Sequence, residues 1–596
     1  MKDIEFNLID KPWIKVIRDN LSVETLSLKD VLLHAQDYTD LAGETPAQNF
    51  AVLRMLLALV YTIFTRVDID GTPDVLTEIE DADDAYDAAL DRWQSLWELK
   101  HFPEKPIIDY LNQHHEEFWL FHPTNPFYQI SLKQFQLHNG TFDIYSTPKL
   151  IGDVLESKNK DKMRPFSLRS GKDKDQIPYD EAARWLINLI AFDDTSAKRK
   201  SSFSNITDKG KTTFIEAADS LKKYSVKSNK KSKDKSKIGT GWAGKLGMIY
   251  CAWDNLFETL MLNLTFLKDG AEVWSQSPAP SWERTDTNVQ VKHYLSCPDD
   301  PAALLSLQSR RVFLERKDDM VTGYLILPGD FFDETNAFSE QMTIWTHAAG
   351  SSKDNPKWKP KCQTVNRQMW RDFNYYFSSQ ANVGKETFHV PGIVQWLHVL
   401  EENCINPSKK ICLRSVAIEY SKQKSSINDL SSDTLFFYID LLDSSKKGLI
   451  KEIETEIKKC DDTAKAVNWL YKDIAIASGS DPDNEKEAQN GKRRFYQAID
   501  QPLRAWLLHF NADVSPENSQ MLFEQWEREA YQIAMSIAKQ LEVGAGPAAF
   551  RGHTIYDKKT EKNYHYSVPK ADLKFRRAIN KIYPRKDVDH EQTTAG

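Results

Sequence analysis

The sequence predicts an α+β protein in which mixed strands and helices precede a group of helices. Short apolar runs typical of strands alternate with amphipathic helical segments up to about residue 440. Beyond that point, four segments with helical periodicity are separated by polar connections, as in a helix bundle. The 596 residues, of which 41% are hydrophobic, are enough for two domains with full cores.

The N-terminal part begins with strands and continues into helices. Strands are predicted at 6–9 and 13–17, and a helix at 26–35. Thr45 and Pro46 are typical of a helix start, as cap and first helical residue, and predict a helix to about residue 65. Its apolar stretch is about 15 residues long and includes Arg54, so it is too short to span a bilayer and indicates a buried helix.

The remaining elements follow from the same patterns. Amphipathic helices are predicted at 81–99 and 180–192, and strands within 288–332 and 411–420. In the last part of the chain, helical periodicity predicts four helices at 444–478, 493–510, 518–543 and 570–582, followed by a polar tail.

Charge is distributed unevenly along the chain. The net charge is −8, yet residues 156–237 carry 21 basic and 12 acidic residues. Such a basic segment in an acidic protein indicates local contact with a polyanion rather than general affinity for nucleic acid. Residues 198–237 are poor in hydrophobic residues and rich in Lys, Ser and Thr, which predicts a basic, partly disordered insertion. A solvated insertion without a ligand is the alternative.

The six cysteines are scattered and form no C-x-x-C pair. We therefore expect no metal, no redox motif and no cofactor. This cysteine usage is typical of a reducing cytosol, and the N-terminus does not resemble a signal peptide, so a cytoplasmic protein without a membrane partner is expected.

The most informative segment is glycine-rich and comprises Gly239, Thr240, Gly241, Trp242, Ala243, Gly244 and Lys245, with Gly247 shortly after. Glycines let a backbone adopt positive φ and approach another molecule closely. Lysines on both sides of the segment favour a nucleic acid as that molecule.

Two enzyme motifs partly match the same residues. Gly239, Gly241 and Gly244 match G-x-G-x-x-G, while Gly239, Gly244 and Lys245 match most of the P-loop pattern G-x-x-x-x-G-K-[ST]. Both motifs require a buried strand before the loop and a helix after it. The residues before the segment are mostly Lys and Ser, and Leu246 replaces the hydroxyl that would hold magnesium. A nucleotide-binding enzyme remains an alternative, but no catalytic set is apparent and we expect no enzyme activity.

Several segments together resemble one family, the CasA proteins, which form the large subunit of the type I-E CRISPR Cascade complex. The resemblance extends along the whole chain, and its motifs are specific as an ordered set. The matching segments are FNLIDKPWIKV at 6–16, the 41–59 helix containing LRMLLA, NPFYQ at 125–129, AARWLI at 182–187 and LFETLMLN at 256–263.

The resemblance implies a large mixed α/β domain at 1–440 and a four-helix bundle at 441–596. It also implies a non-catalytic subunit that recognises the protospacer-adjacent motif (PAM) in double-stranded DNA and promotes duplex opening and R-loop formation. Implied partners are the crRNA 5′ handle, the subunits CasB, CasC and CasD, and the helicase–nuclease that the complex recruits. A purely structural scaffold subunit is a further alternative.

Site residues follow from the same resemblance. The family's glycine loop corresponds to 239–247 and its lysine finger to Lys317. Its glutamine wedge corresponds to the 422–425 tip, where Lys424 occupies the position of the glutamine, Gln423 precedes it and Ser425 follows. The loop that contacts the crRNA handle and neighbouring subunits corresponds to Phe166, Ser167, Leu168 and Arg169. Some family members carry a cysteine-rich zinc site before the finger. Only Cys297 lies in that region here, so no zinc is expected.

Overall fold

The fold was analysed in a computed structural model of the chain. It describes residues 3–131, 145–151, 175–193, 241–284, 293–294, 297–332, 334–352, 355–364, 367–377, 388–405, 409–420, 427–481, 489–557 and 561–584. The basic insertion at 198–237, the 166–169 loop, Gly239, Thr240 and the 423–425 tip lie outside these residues.

Helices and strands alternate along the described residues, and the predicted α+β class is confirmed. The helices are α1 (Leu28–Leu33), α2 (Pro46–Arg66), α3 (Ala82–Leu99), α4 (Glu104–Gln113), α5 (Tyr179–Phe192), α6 (Leu256–Leu262), α7 (Pro301–Leu305), α8 (Asn374–Phe377), α9 (Gly392–Asn403), α10 (Lys447–Ala477), α11 (Asn490–Leu507), α12 (Pro516–Val543), α13 (Pro547–Arg551) and α14 (Val568–Ile582).

The strands form small sheets, most of them antiparallel. They are β1 (Glu5–Asn7), β2 (Ile14–Ile17), β3 (Val23–Leu26), β4 (Asp40–Leu41), β5 (Trp119–Phe121), β6 (Tyr145–Ser146), β7 (Met248–Ala252), β8 (Leu267–Lys268), β9 (Glu272–Val273), β10 (His293–Tyr294), β11 (Arg310–Lys317), β12 (Met320–Pro328), β13 (Phe331–Phe332), β14 (Trp345–His347), β15 (Trp358–Pro360), β16 (Phe388–His389), β17 (Lys410–Tyr420), β18 (Ile427–Tyr438), β19 (His553–Asp557) and β20 (Lys562–Tyr566).

The chain divides into two compact units. The first comprises Met1–Arg367, Gln380–Ile405 and Ile411–Thr434, and the second Gln368–Ser379, Asn406–Lys410 and Leu435–Gly596. The division after Thr434 lies close to the sequence-derived boundary at 440. The second unit also takes in two short segments, 368–379 and 406–410, that the sequence prediction placed in the first domain.

Helix α2 forms the centre of the first unit. The Thr45 side chain caps it by accepting a hydrogen bond from the amide of Gln48, and Pro46 opens its first turn. The prediction that it is too short to span a bilayer is wrong, because the 21-residue helix is long and apolar enough by length and composition alone. However, 94% of its most apolar window is buried inside the protein. Its apolar residues therefore build a core, as expected for a buried helix.

Strands β11 and β12 form a long antiparallel hairpin in the first unit. Its turn is formed by Asp318 and Asp319, which both adopt positive φ, at 51° and 58°, as a two-residue hairpin turn of type I′ requires. The Gln129 side chain supports the hairpin, because its carbonyl oxygen accepts from the amide of Leu314 while its amide donates to the Leu120 carbonyl. Near the turn the hairpin is also held by the backbone pairing of Val321 with Ile177, whereas the turn residues Asp318 and Asp319 are exposed.

The second unit is built around α10, whose 31 residues pack against α11, α12 and α14. Residues from Ile453 to Leu470 at helical spacing bury the apolar face of α10. Ser515 caps α12, and Pro516 opens it. All four predicted C-terminal helices are confirmed, each with ends within a few residues of those expected.

Candidate nucleic-acid interface

Gly241 of the glycine-rich segment lies at the C-terminal end of α5. The amide of Gly241 donates to the Asp193 carbonyl, and a Cβ at residue 241 would overlap the carbonyl of Ala191. A Cβ at Gly247 would likewise overlap the backbone of Lys361. At both positions the close approach that requires glycine is to the protein's own backbone. Packing within the protein therefore accounts for glycine at 241 and 247, and the approach of a foreign molecule to them stays a prediction.

Trp242 lies inside the protein. Its side chain is only 5% exposed, and its indole Nε1 donates to Oε2 of Glu340 over 2.8 Å. Glu340 in turn accepts from both terminal nitrogens of Arg54, at 3.0 and 2.9 Å. Ala243 is also buried, at 2% exposed. Trp242 and Ala243 therefore hold the segment in place in this structure and do not present their side chains to DNA as predicted.

A small cavity lies beside Trp242, lined by Ala51, Arg54, Tyr128 and Leu304 among others. Its volume of about 20 Å³ holds roughly one water molecule, far below the several hundred Å³ of a typical small-ligand pocket. Burial raises the pKa of the Tyr128 hydroxyl well above its ordinary value, so this hydroxyl stays neutral at physiological pH. The cavity is too small to accept a nucleotide.

The structure of the residues after the glycines excludes both enzyme motifs. Ala243–Lys245 form one 3₁₀ turn, and the chain then enters the buried strand β7. Both the dinucleotide fingerprint and the P-loop need a helix at this point, whose N-terminus faces the phosphates. A strand cannot supply that arrangement, so neither motif operates here.

Asp193 connects the glycine-rich segment to the β11–β12 hairpin. Its carbonyl accepts from Gly241, and its carboxylate accepts from Nε of Arg310 at 2.5 Å, at the start of β11. Lys317 is the last residue of β11, about 23 Å further along the strand. Lys317 is exposed and makes no ion pair with a described residue. The structure therefore places it at the far end of the strand from the glycine-rich segment.

Arg316, the neighbour of Lys317, is held firmly. Its guanidinium pairs with Glu5 and lies over the Phe121 ring at 4.3 Å from the ring centre. Lys317 points to the other side of the strand, because successive residues alternate between faces. The hairpin thus presents Lys317 on a fixed base, beside the exposed carboxylates of Asp318 and Asp319.

Three lysines that sequence reasoning missed lie on the β14–β15 hairpin. Lys357, Lys359 and Lys361 alternate with Trp358 and Pro360, so their spacing of two places them on one face. The hairpin adjoins the glycine-rich segment, since the Thr343 hydroxyl donates to the Gly247 carbonyl at 3.2 Å and Lys361 lies against Gly247. The alternating K-W-K-P-K pattern was the signal in the sequence.

The strand leading to the predicted wedge also reaches the glycine-rich segment. β17 ends at Tyr420, whose hydroxyl donates to the Phe192 carbonyl at 2.5 Å. The same hydroxyl lies so close to Gly244 that a Cβ there would overlap it. The partner strand β18 starts at Ile427. The glycine-rich segment, the β14–β15 hairpin with its three lysines (the lysine hairpin) and the strand before the tip therefore meet in the first unit.

Comparison with known proteins identifies the family. The model of the CRISPR-associated protein Cse1 family matches residues 7–537. The chain belongs to the Cse1 family.

Individual relatives agree with this assignment. A curated CasA/Cse1 protein of Thermus thermophilus is 32% identical over 127 residues, which are 21% of this chain and 21% of that protein. The crystal structure of Thermobifida fusca Cse1 superposes with a TM-score of 0.73 at 24% identity, covering 97% of this chain and 98% of that one. A chain of a solved CRISPR RNA-guided surveillance complex gives a TM-score of 0.63 at 15% identity, covering 97% and 99%. The resemblance to CasA is thus confirmed, and these structures share the fold of this Cse1-family chain.

Proposed function

We propose that this Cse1-family chain is a non-catalytic subunit of a CRISPR RNA-guided surveillance complex. In that complex it recognises the PAM in double-stranded target DNA, promotes duplex opening and recruits the helicase–nuclease. Family membership and the fold shared with a chain of a surveillance complex support the assembly. The exclusion of both nucleotide-binding motifs at the glycine-rich segment supports a binding role over an enzymatic one.

The observation that carries the proposal is the meeting of three elements at Gly244 and Gly247. Tyr420, at the root of the 422–425 tip, contacts Gly244, and the lysine hairpin contacts Gly247. A protein that recognises a short duplex motif and opens the next base pairs needs groove contacts and a separating element side by side. Here the glycine-rich segment lies against the backbone of Lys361 on one side and against Tyr420, at the end of the strand before the tip, on the other.

The role proposed for each of these elements follows from the hydrogen-bond acceptors that base pairs present in the DNA minor groove. Groove-edge acceptors of A·T and G·C pairs accept from ammonium groups, so lysines are suitable donors. Lys357 and Lys359 lie on the hairpin next to the glycines, while Lys317 is the residue that the family resemblance favours. Gly239, Thr240, Gly244 and Lys245 are proposed to follow the groove. Gln423 or Lys424, with Ser425, is proposed to enter the base stack.

The 166–169 loop is proposed to attach the chain to its complex. Phe166 and Arg169 pair an aromatic ring with a cation, a combination that suits an RNA backbone with unstacked bases. The crRNA 5′ handle and the CasB, CasC and CasD subunits are the proposed partners of this loop.

Reconstitution tests this function. The complex is assembled with guide RNA, with and without this chain, and R-loop formation is followed on linear duplexes that differ only in the three base pairs beside the target. We expect opening to require both the chain and particular flanking base pairs. If opening is equally fast without the chain, or equally fast for all flanking triplets, PAM recognition by this protein is excluded. A pre-opened target, which needs no PAM, serves as the control for assembly.

A further inference from the structure

The helix bundle of the second unit carries an ordered row of lysines. Lys451, Lys458, Lys465 and Lys472 lie at intervals of seven residues along α10, and all four are exposed. Seven residues advance about 10.5 Å along a helix and return to within about 20° of the same direction. The four ammonium groups therefore form a stripe about 31 Å long on the outside of the bundle.

The charge of the helix as a whole conceals this stripe. Residues 447–477 contain six lysines and six acidic residues. Glu454, Asp461 and Asp462 flank the stripe at helical spacings of three or four residues. Even so, Lys451, Lys458 and Lys472 form no ion pair with a described residue. Lys465 pairs with Asp462, but this exposed i,i+3 pair is weak and leaves the ammonium accessible.

Helix α14 extends the positive surface beside it. Lys570, Lys574, Arg577 and Lys581 follow one face of α14, and all are exposed. The two helices are in contact: Lys574 forms an ion pair with Asp473 at 2.9 Å, and the Thr463 hydroxyl donates to the Tyr583 hydroxyl at 3.2 Å. They run antiparallel, because the later residue of α10 contacts the earlier residue at the α14 end. Together the four lysines of α10 and these four residues form what we call the basic face.

An aromatic ring lies within the basic face. Trp469 is 51% exposed, which is unusual for a tryptophan, and the ammonium of Lys574 lies 6.0 Å from its ring centre. Leu573 is 50% exposed on the neighbouring helix. A large flat ring between cations is the arrangement that binds single-stranded nucleic acid, with bases stacked on the ring and phosphates beside the cations.

We propose that the basic face binds a single strand of nucleic acid. Phosphates lie along the lysine stripe, and a base stacks on Trp469. An acidic protein surface would also be attracted to the lysines. The solvent-exposed indole between Lys465 and Lys472 favours unpaired bases, because every base presents a π-face. This site lies wholly within the second unit and does not depend on the PAM site proposed for the first.

Binding of the full-length chain to a fluorescent oligothymidine, followed by anisotropy at several salt concentrations, tests the proposal. The triple variant Lys451→Ala, Lys458→Ala and Lys472→Ala is compared with a matched control, Arg493→Ala, Arg528→Ala and Lys539→Ala, which removes three exposed cations from α11 and α12. Both variants lose the same charge. We expect the first to lose affinity at least tenfold and to reduce the salt slope by about two, and the control to change little.

Trp469→Ala separates stacking from charge. We expect about tenfold weaker binding with an unchanged salt slope, because a stacked base releases no counterions. Equal losses for the lysine variant and its control overturn the proposal, as does unchanged binding of both the lysine and tryptophan variants. If the lysine variant binds the oligonucleotide normally but releases another subunit from the assembled complex, the face binds an acidic protein and the proposal is wrong. The oligothymidine contains no PAM, so failure here leaves the proposed PAM recognition untouched.

Discussion

At the scale of residues, Glu340 has an unusual environment. It is 2% exposed, and its two oxygens accept from Arg54 on the core helix and from Trp242 in the glycine-rich segment. An ionised carboxylate in such a place is stable only with charged or hydrogen-bonding partners on both oxygens. Trp242 therefore fastens the glycine-rich segment to the core through a hydrogen bond to a charged acceptor.

This interpretation predicts the cost of removing the indole donor. Trp242→Phe keeps most of the buried ring but loses Nε1, and we expect a loss of about 1.5–3 kcal/mol in unfolding free energy. Trp274→Phe is the matched control, since Trp274 is also buried but its indole donates to the neutral carbonyl of Thr265 at 3.0 Å. Its loss should be nearer about 1 kcal/mol, as for neutral pairs. Urea unfolding measures the loss of unfolding free energy in both variants. A larger loss for Trp274→Phe than for Trp242→Phe would contradict the role given to Glu340.

Glu44 makes the stability of the first unit depend on pH. Burial alone would raise its pKa, but hydrogen bonds and charges from Arg184 and Lys15 lower the pKa to about 2. Arg184 lies on α5, the helix that ends beside Gly241. Because the folded-state pKa is below the ordinary value of 4.5 for a glutamate, the stabilisation is complete above about pH 4.5 and is lost as the pH falls toward 2.

Glu44→Gln tests this dependence. We expect it to lower the unfolding free energy by as much as about 3 kcal/mol at pH 7 and by progressively less between pH 4.5 and 2. The exposed Glu78, changed to Gln, is the control and should have little effect at either pH. Parallel pH profiles for Glu44→Gln and the parent protein would show that this carboxylate is not stabilised by its neighbours.

At the scale of elements, the β11–β12 hairpin shows what the sequence can and cannot provide. The strand pattern predicted strands in this region, and helical periodicity with caps such as Thr45 and Ser515 located the long helices. The glycines at 241 and 247 indicate in the sequence that something approaches the backbone closely, but the sequence does not indicate which group approaches. That information lies in Ala191 and Lys361, which are distant in sequence. The Trp242–Glu340 contact spans 98 residues and has no local signature.

The turn of this hairpin offers a test of Lys317. Asp318→Asn with Asp319→Gly gives the Asn-Gly pair that type I′ turns favour, so we expect a gain of about 0.5 kcal/mol or more in stability. The change also removes two exposed carboxylates beside Lys317. If Lys317 approaches DNA, duplex affinity at low salt should rise about twofold to fivefold. A more stable protein with unchanged duplex affinity would show that this tip does not meet the DNA.

At the scale of the whole molecule, duplex recognition and duplex opening are proposed to be joined through the glycine-rich segment. β17 leads from its contact at Gly244 toward the tip at 422–425. Replacing Gln423 and Lys424 with Gly should leave PAM-duplex encounter nearly unchanged and slow R-loop formation. Negative supercoiling or a pre-melted bubble beside the PAM should restore much of the rate, since either supplies the opening energy by another route. Linear duplex that opens at the parental rate would show that the tip is not the wedge.

The central claim is that the glycine-rich segment and the lysines beside it recognise the PAM. The most direct measurement uses a double variant that carries both Lys357→Ala and Lys359→Ala. Its control is Lys105→Ala, which changes an exposed lysine elsewhere in the first unit. Each assembled complex is titrated with a PAM-containing duplex and with a target already opened into single strands. We predict that the double variant binds the duplex at least tenfold more weakly than the parent protein and binds the opened target normally. The control should bind both targets normally. Equal weakening on both targets, or none on either, would contradict the claim.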